Sequence, residues 1–327
     1  MKTWLRRIAQ ATAALAMLAA AQVTSVTAAR AAYPEQTITF ICAFPAGSGA
    51  DVLVRYFADK VAKTANATVI VENKPGALSN IAAEYTARSK PDGYTIFVHS
   101  GNSIAGNMWI MKKPPIDVVT DLKTIATVNK QAFVIAVTKD APYKDLKELT
   151  AAMKEKGEAG SYAVNATSGK VLAEVYKQIT GLNTVAVQYK TASDSLNDIT
   201  SGAVDFGSYD PVFALAQQRE GRLRILGVGA AERIKGAADI PTFKEQGYDI
   251  DQLGWWGVMV AKDTPDDIVN TINGWFNTVL ATPETQKFLA DQGGEAYITT
   301  PADAQALMAQ TVKEWEEYVR IAKIPQQ

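Results

Sequence analysis

Four stretches place Gly, Ser, Thr and Asn where an apolar run gives way to a helical pattern: Phe44-Pro-Ala-Gly-Ser-Gly-Ala-Asp51, Gly76-Ala-Leu-Ser-Asn80, Asn165-Ala-Thr-Ser-Gly169 and Tyr189-Lys-Thr-Ala-Ser193. The chemistry they offer is anion binding. The first N–H groups of a helix lack intrahelical acceptors and carry the positive end of the helix dipole, so a strand that turns through glycine into a helix can hold an anion with backbone alone. The candidate contacts are Phe44, Ala46, Gly47, Ser48 and Gly49, then Ala77, Leu78, Ser79 and Asn80, then Asn165, Thr167 and Ser168, and last Tyr189 and Thr191. A carboxylate suits them because each oxygen accepts several donors. The first loop holds no Lys or Arg, so recognition there would rest on amides and the Ser48 hydroxyl. Ser, Thr and Asn before a helix also serve simply as N-caps, and both readings stand at each loop.

Other side chains could add to such a site. Tyr209 and Phe213 flank Asp210-Pro211 at a further strand-to-helix transition. With Phe44 they could sandwich a flat ligand, core packing being the competing role for Phe213. Asp51 reads as a cap or loop organiser, since a carboxylate facing an anion would repel it. Whether Asp51 or Asp210 meets the amine of an amino-acid ligand stays open. Lys170 and Lys190 could supply positive charge, with solvation the alternative for Lys170.

Covalent chemistry has little to work with, and no catalytic residue, metal or cofactor is expected. His99 is the only histidine and Cys42 the only cysteine. That removes most histidine-based metal sites and leaves any Ser-His-Asp or Cys-His centre to His99 alone. At the end of a strand pattern, His99 is expected to be solvated or hydrogen-bonded, with ligand contact the alternative. Cys42 is expected as a buried thiol. Ser48-Gly-Ala makes no nucleophile elbow, and the first loop is neither a P-loop nor a dinucleotide fingerprint.

The elements that must position these loops alternate along the chain. Strands are expected over 38–43, 68–72, 95–99, 133–137, 162–163, 184–187, 206–208, 225–228 and 257–260. Helices are expected over 51–63, 80–88, 146–155, 170–180, 193–201, 211–220, 265–281, 283–292 and 301–323. The alternation predicts an α/β fold with largely parallel strands. The loop at Pro114-Pro115 is the nearest thing to a break.

With 327 residues, 47% hydrophobic and 20% charged, the chain is globular and long enough for two ordinary domains. Lys2, Arg6 and Arg7, an apolar stretch over 11–23 and Ala29-Arg-Ala31 follow the order of a signal peptide, expected over residues 1–31. The apolar stretch is short for a membrane span, an N-terminal anchor helix being the alternative. Arg6-Arg7 hints at twin-arginine export, but its flanks favour ordinary secretion, and no cysteine ends the leader to take a lipid. Loss of Lys2, Arg6, Arg7 and Arg30 from 33 basic residues leaves 29 against 34 acidic ones. That balance argues against nucleic acid or an anionic membrane as partner.

A set of motifs runs in order through the mature chain. Phe44-Pro45, Gly47, Gly49 and Asp51 are followed by Val71-Glu-Asn-Lys-Pro-Gly-Ala77 with Asn80, Lys90-Pro-Asp-Gly-Tyr-Thr95, Val187-Gln-Tyr-Lys190 and Gly202-Ala-Val-Asp205. Gly221-Arg-Leu-Arg-Ile-Leu226, Pro241-Thr242 with Glu245 and Gly247, and Trp256-Gly257 with Thr264-Pro265 complete it. The set resembles the periplasmic solute receptors of tripartite tricarboxylate transporters, the Bug/TctC type. The resemblance implies a type II periplasmic-binding-protein fold with two lobes, a hinge and an interlobe cleft. Lobe one would span 33–133 plus 253–327, lobe two 134–252, with hinges near 132–137 and 254–257. It also implies a monomeric periplasmic receptor that hands a small carboxylate to membrane permease subunits. The family takes di- and tricarboxylates, some amino acids, and aromatic acids such as nicotinate and terephthalate. Ala46, Leu78-Ser79 and Thr191 depart from the usual pattern, which bears on ligand identity. An enzyme on the same fold, or a subunit presenting ligand to a sensor histidine kinase, are the rival readings.

Overall fold

The computed structural model describes residues 33–326. The expected leader, 1–31, lies outside the described residues.

In chain order the elements are β1 (Ile38–Cys42), α1 (Gly49–Ala65), β2 (Val69–Asn73), a tight turn at Ala77–Ser79, α2 (Asn80–Ala87), β3 (Thr95–Ser100), α3 (Gly101–Ile110), β4 (Leu122–Ala132) and β5 (Val134–Thr138). Then come α4 (Leu146–Lys156), β6 (Ser161–Val164), α5 (Thr167–Thr180), β7 (Val185–Gln188), α6 (Leu196–Ser201), β8 (Phe206–Tyr209), α7 (Pro211–Arg219) and β9 (Leu223–Val228). The last are β10 (Leu253–Ala261), α8 (Asp266–Leu280), α9 (Pro283–Asp291), β11 (Glu295–Ala296) and α10 (Pro301–Ala322).

Two sheets result, one in the order β11-β4-β10-β3-β1-β2, the other in the order β7-β6-β8-β5-β9. The first takes its strands from both ends of the chain and the second from the middle. The chain crosses between them at Phe133, the single residue separating β4 from β5, and again between β9 and β10. Gly229 ties the crossings together: its N–H donates to the Phe133 carbonyl and its carbonyl accepts from the Gln252 N–H, both at 2.9 Å.

β1 runs parallel to β2 and β3, and β6 parallel to β7 and β8. β10 is antiparallel to β3 and β4, and β5 antiparallel to β8 and β9. The expectation of largely parallel strands is therefore corrected: each sheet is part parallel and part antiparallel. Parallel neighbours need a crossover helix, whereas strands that arrive directly from the other sheet have none and enter the opposite way.

Each sheet is closed by aromatic packing. The Phe276 ring of α8 stacks on Phe40 of β1 and Phe57 of α1, each at 5.8 Å. In the other half Tyr176 of α5 stands edge-on to Phe206, Phe243 and Tyr248. Such rings carry much of the apolar burial that holds a fold together.

Several expected bounds shift. α3 and β4 lie where the sequence pattern assigns no element, α5 starts at Thr167 rather than at residue 170, and 193–201 divides into a 3-10 turn and α6. Pro114-Pro115 joins α3 to β4 and separates no domain. Residues 254–257 lie inside β10, so the second crossing precedes them.

Candidate functional site

The first loop joins β1 to α1. Ser48 caps the helix, its Oγ accepting the Asp51 N–H at 3.2 Å. Gly47 has φ +81°, and a β-carbon there would meet nothing within 4 Å, so glycine is needed for its backbone and not for space. Asp51 is buried beneath the loop and accepts from the Gly47 N–H, Arg55 Nε and Asn73 Nδ2, each at 2.8 Å. Asn73 also donates to the Phe44 carbonyl at 2.9 Å and accepts from Arg55 Nη2 at 2.9 Å. Burial alone would raise the Asp51 pKa; the hydrogen bonds from Arg55, Asn73 and Gly47 outweigh it and hold the carboxylate below its ordinary value. Asp51 organises the loop and neutralises Arg55 in doing so.

The second loop adopts an unusual backbone. Gly76 has φ +126°, and the next three residues, Ala77, Leu78 and Ser79, are all left-handed at φ 46°, 53° and 75°. For residues with a β-carbon that conformation costs roughly 1–2 kcal/mol each. Its carbonyls are taken up from within: Ser79 N–H donates to Gly76 O at 2.9 Å, Asn80 Nδ2 to Ala77 O at 2.9 Å, and Asn107 Nδ2 to Leu78 O at 2.6 Å. The amides of Ala77 and Leu78 have no acceptor among the described residues, and both residues are exposed. Ser79 and Asn80 are buried.

The third loop meets an element from the other half. Ser100 caps α3 through the Ser103 N–H at 3.3 Å, and Ser103 Oγ lies 3.3 Å from Ser168 Oγ in the first turn of α5. The N-terminal turns of one helix from each half thus touch. α5 has no side-chain cap, and Asn165 Oδ1 is buried without a partner among the described residues. A β-carbon on Gly169 would lie 3.0 Å from both the Phe133 ring and Ser208 O, so the start of α5 is seated on the crossing itself. Gly49 faces Val212 of α7, which brings the first loop to the second half as well.

The remaining predicted residues are occupied within the fold. Tyr189 donates its hydroxyl to Asp198 Oδ2 at 2.5 Å; burial, with this bond, pushes its pKa up to about 12. Thr191 and Asp194 cap one another, the Asp194 N–H donating to Thr191 Oγ1 at 3.2 Å and the Thr191 N–H to Asp194 Oδ2 at 2.9 Å. Tyr209 is fully buried, its hydroxyl 2.6 Å from Ser195 Oγ and its ring 5.1 Å from Phe213. Asp210 caps α7 through the Phe213 N–H at 2.9 Å; burial raises its pKa against the pull of that bond. Of the aromatic pair expected around a flat ligand, Phe44 keeps exposed surface and Tyr209 has none. Lys190 is exposed and Lys170 half-buried.

His99 is neither solvated nor hydrogen-bonded, which corrects the expectation for it. It is 0% exposed, and neither ring nitrogen has a partner among the described residues. Its ring packs against Phe97 at 4.9 Å, Phe44 at 5.3 Å and Trp256 at 5.8 Å. Burial lowers its pKa to about 3, so it is neutral and acts as an apolar prop under Phe44.

Sequence reasoning passed over Ser103, Asn107 and Asn73 as working parts. α3 begins Gly101-Asn-Ser-Ile-Ala-Gly-Asn107, a turn-like composition, and is buried on nearly every side, so no amphipathic period marks it. The available signal was Ser100 as an N-cap. Among the described residues no cluster of three or more His, Cys, Asp or Glu could hold a metal, and no helix is long and apolar enough to cross a membrane.

Two α/β halves joined by two adjacent crossings, with helix starts meeting between them, define a type II periplasmic-binding-protein fold: two lobes, a hinge and an interlobe cleft. Residues 53–323 match the Tripartite tricarboxylate transporter family receptor, TctC, and the chain belongs to that family of periplasmic solute-binding receptors. It is 27% identical to Protein BugT of Bordetella pertussis over 88% of this chain and 90% of that one. Among solved structures it is similar to R. palustris Rpa4515 with adipate, at TM-score 0.83 and 25% identity, covering 90% of this chain and all (100%) of that one. It is likewise similar to the periplasmic binding protein BugD, at TM-score 0.80 and 26% identity, covering 90% and 100% of the two chains.

Proposed function

We propose that this protein captures a small carboxylate between its lobes and delivers it, unchanged, to the membrane subunits of a tripartite tricarboxylate-type transporter. Export with removal of residues 1–31 would leave a monomeric receptor in the periplasm. Lobe one is taken as 33–133 plus 253–327 and lobe two as 134–252. The observation that carries the reading is the second loop, where the turn's carbonyls are bound internally while the Ala77 and Leu78 amides point to no protein acceptor. An anion is what such amides lack. The Ala46–Gly49 backbone and the Ser48 hydroxyl would join them from lobe one, and Asn165, Thr167 and Ser168 from lobe two. Tyr189 and Thr191 would contribute only by exchanging their present partners.

The adipate complex of a relative favours a dicarboxylate as first candidate. An aromatic acid such as terephthalate is the second, resting on Phe44. A thermal-shift screen of the mature protein against adipate, malate, citrate, nicotinate and terephthalate tests the reading. A ligand at a hundred times its Kd should add about 2.7 kcal/mol of stability. Gly47→Val should abolish the shift, since a β-branched residue is strained at that φ. Consumption of the acid by the pure protein, or no shift with any carboxylate, would overturn the proposal.

A further inference from the structure

The left-handed run Ala77–Ser79 needs something to hold it, because three successive residues with β-carbons would otherwise relax to ordinary backbone. Asn80 holds its first carbonyl from within the same segment, but Leu78 O at its centre is held from elsewhere, by Asn107 Nδ2 on α3 at 2.6 Å. Asn107 is 1% exposed, and its Oδ1 is buried with no partner among the described residues. A buried amide that leaves its oxygen unmatched is a costly choice for packing alone, where leucine would fill similar space. The cost is explained if the amide's donor is what the position requires. α3 also carries Ser103, which meets Ser168 of the other half. One helix therefore grips the turn at one point and touches the facing lobe at another.

We infer that Asn107 is a positioning residue: from α3 it holds the Leu78 carbonyl and so fixes the left-handed turn whose Ala77 and Leu78 amides face outward to the ligand. The ligand half of this inference rests on the function proposed above; the clamp on the turn does not. Asn107 acts through the turn and touches no ligand itself.

Asn107→Leu tests it, because the change removes the donor and the unmatched oxygen together while keeping the branched shape. Asn107→Ala, which loses the donor and adds neither bulk nor charge, is the second variant should the first fail to fold. Amide exchange by NMR at Ser79 and Asn80, whose N–H groups close the turn onto Gly76 and Ala77, reads the clamp without ligand. Exchange at both should rise tenfold or more, with the amides of α3 and the urea midpoint unchanged. A packing role would instead loosen α3 and lower the midpoint. Calorimetry with adipate as probe should show affinity at least fivefold weaker. Unaltered exchange at Ser79 and Asn80 overturns the clamp. Faster exchange with unaltered adipate affinity overturns the ligand half. Failure of the unmutated protein to bind adipate counts against the proposed dicarboxylate, while exchange still decides the clamp.

Discussion

Gly236 sits against the end of α9 so closely that a β-carbon on it would lie 2.6 Å from Ala290 O and 2.7 Å from Gly294 N. Gly236 belongs to the segment between β9 and β10, and Ala290 to a helix whose following strand, β11, pairs with β4 of the other sheet. Arg219 of α7 donates to Asp291 O at 3.0 Å beside it, and Gly293 is packed on Leu215 and Pro211. The halves thus touch here as well, through backbone that leaves no room for a methyl group.

Gly236→Ala should therefore open this contact. Forcing a methyl group against fixed backbone costs about 1–3 kcal/mol, and separation of the lobes relieves it. Ligand affinity should fall by about tenfold, with the radius of gyration by small-angle scattering increased. Scattering and affinity identical to the unmutated protein would show that the contact has no part in closure.

Asn73→Ala should loosen the first loop from below. It removes the donors to Asp51 and Phe44 and the acceptor for Arg55. Hydrogen bonds to a charged group contribute about 1.5–3 kcal/mol, so the urea-unfolding free energy should drop by roughly that much. The Asp51 pKa is lowered in the folded state, so its contribution is present above the ordinary carboxyl value of 3.8 and is lost as pH falls through the folded value. The variant should lose less stability than the unmutated protein on acidification through that range. Equal acid sensitivity would mean that Asn73 does not help to hold the Asp51 charge.

His99 also costs stability on acidification, as a group held neutral rather than charged. Its pKa falls from 6.5 to about 3 on folding, so only the unfolded chain takes up a proton between those values. Stability therefore declines as pH drops through that window, by about 2 kcal/mol between pH 7 and 5. His99→Phe should remove that share of the decline and fit among Phe44, Phe97 and Trp256. Matching urea-unfolding curves for both proteins at the two pH values would refute the assignment.

The sequence was most legible where local rules and burial agree. α1 follows from a glycine turn, Ser48 as cap and apolar residues at helical spacing, of which Leu53, Phe57 and Val61 are buried, Tyr56 is half-buried and Val52 is exposed. It was least legible where burial removes the contrast that a period needs. α3 is buried nearly all round, and β4 mixes Thr, Asn and Lys in a strand covered on both sides by neighbours. The loops of the site could be located from Gly, Ser and Asn, but not the state of their side chains. Thr191 and Asp210 proved to cap helical turns, and Tyr209 to lie in the core. Asn107 binds a turn nearly thirty residues away, a pairing that only the folded backbone creates.

Tyr209 and Phe44 can be told apart by the ligand each affects. Tyr209 is enclosed in the second-lobe core with its hydroxyl on Ser195, while Phe44 keeps part of its ring at the surface above His99. Tyr209→Ala should cost about 3–5 kcal/mol of stability, as expected for emptying an aromatic site. Tyr209→Phe should cost about 1 kcal/mol, for the lost hydrogen bond, and leave the relative affinities for terephthalate and adipate unchanged. Phe44→Ala should instead weaken an aromatic acid by about 1 kcal/mol more than an aliphatic one, the share that ring stacking adds beyond area. Calorimetry with both acids on the three variants makes the comparison. Selective loss of terephthalate binding in Tyr209→Phe would mean that the ring reaches the cleft when ligand is bound.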